Sequence, residues 1–125
     1  MASQDVQALR LFIDRMRREN EVEADLAARL QREARAEALR LGAEMGKAEP
    51  DLRKVVLFGS ALPGRDFRID SDIDLAVVGG DRARLERLVA SSSFPVDVID
   101  LEEARPGIRK SIENEGILVY AAPEN

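Results

Sequence analysis

Two apolar runs flank a glycine turn in the middle of the chain, in residues 55–78, VVLFGSALPGRDFRIDSDIDLAVV. Short apolar runs bounded by turn residues are typical of buried β-strands. The sequence therefore predicts strands over 55–58 and 73–78, joined by a connection rich in glycine and proline.

The rest of 51–125 continues this alternation of strand and helix signals. Apolar runs predict two further strands at 96–101 and 117–120, while Asp81 and Pro106 mark the starts of two short helices. Together these elements predict an α+β fold, a small mixed β-sheet with flanking helices.

Residues 1–50 have a different composition, rich in Ala, Leu, Arg and Glu, which predicts one long helix. Its apolar residues recur every three or four positions, at Val6, Leu9, Phe12, Met16, Val22, Leu26, Leu30, Leu41 and Met45. An unbroken helix of this kind would reach about 60 Å, far beyond a globule with a radius of gyration of about 14 Å. Either it breaks near Asn20, or it projects and packs on another chain, such as a second copy in a homo-oligomer or a helical partner. We therefore expect an N-terminal helical extension at 1–50 and one domain at 51–125.

Composition excludes several classes of function. The 125 residues include no Cys and no His, which excludes thiolate zinc sites, Cys nucleophiles and His-based triads. The net charge of −5 disfavours binding to duplex nucleic acid, and no apolar run approaches the length of a membrane span. With no signal-peptide pattern, the chain is expected to be soluble and cytoplasmic.

Asp72 and Asp74 stand two residues apart at the start of a predicted strand, so their side chains share one face. Two carboxylates this close repel each other unless a cation neutralises them. Oxygen ligands without His or Cys favour Mg²⁺, with Mn²⁺ as an alternative. Gly59 and Ser60, which end the preceding strand, offer close backbone approach, a hydroxyl and an N–H to a phosphate.

A third carboxylate, Asp97, interrupts the apolar strand at 96–101, where we expect it to be buried and to share a metal with the other two. Asp100 is the alternative ligand. Because the two residues are three apart, they fall on opposite faces of the strand, and this favours Asp97.

Three segments, LFGSALPG, SDIDLAVV and PVDVIDL, resemble the minimal nucleotidyltransferases of the DNA polymerase β-like superfamily. The resemblance covers about residues 52–120 and implies the palm-like fold of that superfamily. It implies that Gly59 and Ser60 hold the phosphates of ATP or another nucleoside triphosphate. It also implies that Asp72, Asp74 and Asp97 are the catalytic residues and bind two Mg²⁺ ions for transfer of AMP to a hydroxyl.

One position departs from the family pattern. Pro63 stands where such proteins commonly carry an Arg after the Gly-Ser pair, so Arg65 or Arg68 is expected to supply the positive charge to the nucleotide instead.

The resemblance further implies an antitoxin that modifies a tyrosine of a helical HEPN-type toxin. Three alternatives stay open: a non-catalytic binding module of the same fold, a transferase for a small molecule such as an antibiotic, and an unrelated acidic metal protein. The last is disfavoured because Leu75 stands where a calcium loop needs Gly.

Overall fold

A computed structural model describes the main chain of residues 2–124 and the side chains from Ser3 onward. The helices are α1 (Ala2–Ala48), α2 (Arg82–Val89) and α3 (Pro106–Glu115), and the strands are β1 (Lys54–Phe58), β2 (Ile73–Val78), β3 (Val96–Asp100) and β4 (Ile117–Ala121). Single 3₁₀ turns follow β1 at Gly59–Ala61 and β3 at Leu101–Glu103. The predicted α+β class, with its mixed sheet and long N-terminal helix, is confirmed.

The four strands form one sheet in the order β3-β2-β1-β4. β1 pairs antiparallel with β2 and β4, whereas β2 and β3 are parallel and are joined through α2. As a result β1 ends, and β2 and β3 begin, at the same end of the sheet. We call this end, where the strand termini lie, the site edge.

Alternation along the strands divides the core between the two faces of the sheet. One face packs on α1 and carries the larger cluster, in which Leu41, Met45, Leu57 and Leu75 are almost fully buried. The other face packs on α3 through Val56, Ala76, Val78, Leu101 and Ile112. Within residues 2–124, no helix has an apolar stretch long enough to span a bilayer.

Helix α1 is unbroken and about 70 Å long, so of the two alternatives the break near Asn20 is absent. Its C-terminal half lies on the sheet and contributes Ala34, Ala38, Leu41 and Met45 to the core. By contrast, every residue from 3 to 26 is exposed. The helix therefore has one half inside the globular body and one half that projects from it.

Candidate active site

Strand register brings two of the predicted carboxylates side by side at the site edge. Phe58, the last residue of β1, pairs with Asp74 of β2, and Asp74 pairs in parallel with Asp97 of β3. Residues paired across neighbouring strands point to the same face, so Asp74 and Asp97 are neighbours there. Asp100 pairs with Val77 near the other end of β3, away from this position.

Gly59 connects the Gly-Ser turn directly to the carboxylates. Its φ of +80° lies in the left-handed region, which disfavours any residue with a side chain. A Cβ built at Gly59 would overlap Oδ2 of Asp74. The Asp74 carboxylate therefore occupies the space that a side chain at position 59 would need.

The electrostatics of Asp74 report the crowding of like charges. Burial, followed by repulsion from the carboxylates of Asp97 and Asp72, raises the pKa of Asp74 to about 6. Asp74 is partly buried, whereas Asp72 and Asp97 are exposed. The expectation that Asp97 is buried was therefore wrong. The physical reason is that β3 is an edge strand, and α3 packs over β1 rather than over the start of β3.

These three carboxylates have the donor chemistry of a magnesium site. They supply hard oxygen atoms, and a cation would relieve the repulsion that, together with the larger effect of burial, raises the Asp74 pKa. Within residues 2–124, however, no three Asp, Glu, His or Cys side chains lie close enough together to enclose one ion. A bound ion would therefore need further oxygen ligands, such as phosphate or water.

Helix α1 also holds the Gly-Ser turn, through contacts that the sequence motifs do not predict. Nε2 of Gln31 lies 2.8–2.9 Å from three carbonyl oxygens of this segment, those of Ser60, Leu62 and Arg65, which share its two N–H donors. Arg35 adds a bond from Nη1 to the carbonyl of Ala61 at 3.1 Å. The only sequence signal is that Gln31 is a polar residue on the apolar face of α1, four positions after Ala27.

Both arginines that were expected to bind the nucleotide have carboxylate partners. Arg65 forms a 2.6 Å ion pair with Glu115 at the end of α3, and Arg68 forms a 3.2 Å pair with Asp66. All four side chains are exposed, so water screens these pairs and they contribute little to stability. Neither pair would strongly resist exchange for a phosphate.

A cleft of about 260 Å³ opens beside Gly59, between the Gly-Ser segment and α3. Phe58, Gly59, Leu62 and Arg65 line one wall, and Ser111 and Glu115 line the other. The cleft lies on the α3 face of the sheet, the face that also carries Asp74. It combines an apolar floor with polar groups at its rim, a combination common in small-molecule sites.

Comparison with solved structures finds chains of similar fold in toxin–antitoxin complexes. A toxin–antitoxin structure with AMP-PNP is 27% identical, with a TM-score of 0.53, and the match covers 64% of this chain and 70% of that chain. A mutant MntA–HpeT toxin–antitoxin structure is 25% identical, with the same TM-score and coverage. The complex of tri-AMPylated Shewanella oneidensis HEPN toxin with MNT antitoxin is 24% identical, with a TM-score of 0.50 over 74% of this chain and 73% of that chain, and supports the fold alone.

Sequence comparison gives the family. No curated protein sequence matches the chain. The profile described as Polymerase beta, Nucleotidyltransferase matches residues 43–125, about two thirds of the chain, and includes every predicted site residue. The protein belongs to the polymerase beta nucleotidyltransferase family.

Proposed function

We propose that this protein is a Mg²⁺-dependent transferase that moves AMP from ATP to a hydroxyl of a protein, a tyrosine of a helical HEPN-type toxin, and thereby acts as its antitoxin in the cytoplasm. The observation that carries the proposal is the juxtaposition of Gly59 with the Asp74 carboxylate and of Asp74 with Asp97. The Gly-Ser turn and two carboxylates thus meet at one point, which a purely structural turn would not require.

Each side chain has a role in this proposal. Gly59 and Ser60 would hold the β- and γ-phosphates, and the neighbouring cleft would receive part of the nucleotide. Asp72, Asp74 and Asp97 would bind Mg²⁺ together with phosphate oxygens. The metal would neutralise negative charge on the phosphates and orient the α-phosphate.

The transfer itself is a substitution at the α-phosphorus. The acceptor oxygen forms a bond to that phosphorus, and the bond from the phosphorus to the oxygen bridging to the β-phosphate breaks, so that pyrophosphate leaves. The acceptor hydroxyl loses its proton in this step. Asp97 is one of the two exposed carboxylates at the site edge, and it would accept that proton from an incoming acceptor.

A non-catalytic binding module of the same fold is the second candidate. Pro63 replaces the usual Arg, and the pairing of Arg65 with Glu115 leaves its charge already matched in the absence of nucleotide. If nucleotide exchanges for Glu115, the first candidate holds. If the ion pair persists, the chain would act on its partner through contact alone.

Calorimetric titration with AMP-PNP, with and without Mg²⁺, tests the nucleotide site. We expect binding that requires Mg²⁺ and that Asp74→Asn weakens by about tenfold or more. Asp70→Asn is the matched control, because Asp70 is an exposed carboxylate in the same loop, and it should bind as the wild type does. Equal binding by Asp74→Asn and the wild type, or no binding at all, would contradict the transferase proposal.

A further inference from the structure

We propose that the projecting half of α1, residues 3–26, is a docking surface for the acceptor protein, which it seats along an apolar track leading to the site edge. We call this segment the arm. The inference rests on the proposed function, since it names the kind of partner that brings its hydroxyl to the carboxylates.

The arm projects from the same edge of the sheet as the site. Helix α1 runs antiparallel to β1: Glu49 lies beside Gly80 at the far end of the sheet, and Gln31 bonds to the turn at the site edge. Residues that precede Gln31 therefore extend beyond that edge. The 24 residues of the arm span about 36 Å.

The apolar residues of the arm lie on the same face of α1 that packs on the sheet further along the helix. Helical periodicity places Val6, Leu9, Ile13 and Met16 on the same face as the buried Ala34, Ala38 and Leu41. Together with the flanking Phe12, the four residues form a stripe whose members are 39–58% exposed. The stripe thus lies beyond the site edge, on the face of α1 that packs on the sheet further along, and no residue of the described chain covers it.

Further exposed apolar residues lie between the stripe and the loop that precedes the carboxylates. A groove of about 600 Å³ lies where the arm meets the loop before β2, lined by Leu26 and Leu30 of α1 and by Phe67 and Ile69 of the loop. Ile69 is 84% exposed, although it is a large apolar residue only three positions before Asp72. Asn20, Glu23, Asp66 and Arg68 add polar groups to the lining of the groove. Stripe, groove and Ile69 thus follow one another towards the site edge, where the carboxylates lie on the α3 face, and exposed apolar surface of this kind is typical of recognition surfaces.

The size and charge of the track point to a protein. A stripe of this length exceeds what a small acceptor could cover, and the net charge of −5 disfavours nucleic acid. The spacing of the stripe fits an apolar helix lying along the arm.

Two copies of the arm fit each other poorly. Parallel pairing would bring the two sheets into collision, because the same face of α1 carries the sheet from residue 34 onward. Antiparallel pairing centred on Leu11 would match the two stripes. Along the two borders of the paired stripes, however, Arg10 of one copy would lie near Arg10 of the other, and Asp5 of one copy near Glu19 of the other. Such like-charge contacts are unfavourable.

The absence of cysteine allows site-directed cross-linking of the full chain. Ile13→Cys places a photoactivatable cross-linker on the stripe. Leu11→Cys is its control, since Leu11 is 67% exposed but lies about 160° around the helix. In cells that make this protein, we expect a product with another protein from position 13 and not from position 11. The captured protein must then accept label from ATP labelled in the α-phosphate.

Kinetics with that captured protein as the acceptor complete the test. Leu9→Glu with Ile13→Glu should raise its KM about tenfold or more while leaving Mg²⁺–AMP-PNP binding unchanged. Leu11→Glu with Val22→Glu, which changes two exposed apolar residues on the opposite side, should alter neither. A cross-link to a second copy, no cross-link from position 13, or equal loss in both double variants overturns the docking surface. Failure of AMP-PNP binding in the wild type would instead overturn the transferase proposal, while the cross-linking result still decides the role of the arm.

Discussion

Gly59 and Gly64 have nearly the same backbone conformation but different surroundings. Their φ angles are +80° and +79°, yet a Cβ at Gly59 would overlap Asp74, whereas nothing lies within 4 Å of a Cβ at Gly64. We expect Gly59→Ala and Gly64→Ala to share a backbone strain of about 1–2 kcal/mol, seen as lower stability in urea unfolding.

Only Gly59→Ala should also displace the Asp74 carboxylate, and it should therefore weaken Mg²⁺-dependent AMP-PNP binding by about tenfold or more. Gly64→Ala serves as the control for strain. Equal nucleotide affinity in the two variants would show that the contact between Gly59 and Asp74 has no part in binding.

Asp74 also predicts an unusual dependence of stability on pH. Its pKa is about 6 in the folded protein against 3.8 for the ordinary group, so between these values the folded state binds more protons than the unfolded state. Stability is therefore lost as the pH rises from about 4 to 6, by an amount on the order of 2 kcal/mol, because solvent screening of this partly exposed carboxyl reduces the effect below that of a fully buried one. Asp74→Asn, which cannot ionise, should escape this loss.

The comparison requires unfolding curves of wild type and Asp74→Asn at pH 4 and pH 7.5 with a chelator present. We expect the variant to gain stability relative to wild type at the higher pH, and Mg²⁺ to stabilise the wild type more than the variant. If the wild type became more stable relative to Asp74→Asn as the pH rises, the raised pKa would be contradicted.

Among the elements, the four strands and two short helices were predictable because each carries a local signal. Alternation of apolar runs with Gly and Pro marks the strands, Asp81 accepts a bond from the N–H of Arg84 as an N-cap, and Pro106 begins α3. The spacing of Asp72 and Asp74 also predicts their shared face. These features depend on residues close together in the chain.

Long-range features were not predictable from local signals. That Asp97 is exposed depends on β3 being an edge strand, and the ion pair of Arg65 depends on where α3 ends. The bonds from Gln31 to the Gly-Ser turn join residues about thirty positions apart. A regular helical pattern gives no sign of such contacts, and it does not reveal where α1 leaves the sheet.

Gln31 gives a test of how α1 supports the site. Gln31→Leu leaves three turn carbonyls without their donor, which should cost about 1–3 kcal/mol and loosen the segment from Ser60 to Arg65. We expect weaker AMP-PNP binding together with the loss of stability. Gln7→Leu is the control, because Gln7 lies on the exposed arm of the same helix. If both variants bind nucleotide like wild type, α1 does not position the turn.

At the scale of the whole molecule, catalysis and recognition would be separated along the chain. The matched family region, residues 43–125, contains the Gly-Ser turn, the carboxylates and the cleft, whereas the arm lies outside it. Helix α1 joins the two parts, since its C-terminal half is core and its N-terminal half projects past the site edge. This layout explains how a small domain with a shallow cleft could act on a large acceptor.

Transfer of AMP is measured most directly with ATP labelled in either the α- or the γ-phosphate, incubated with Mg²⁺, this protein and an extract of the cells that make it. We expect that a protein acquires the α-label and not the γ-label, with release of pyrophosphate. Asp97→Asn should reduce this labelling by about a hundredfold. Asp100→Asn, which keeps the oxygen that accepts the bond from the N–H of Glu102, should retain it. Labelling from the γ-phosphate, or equal α-labelling by Asp97→Asn and wild type, would contradict AMP transfer at this site.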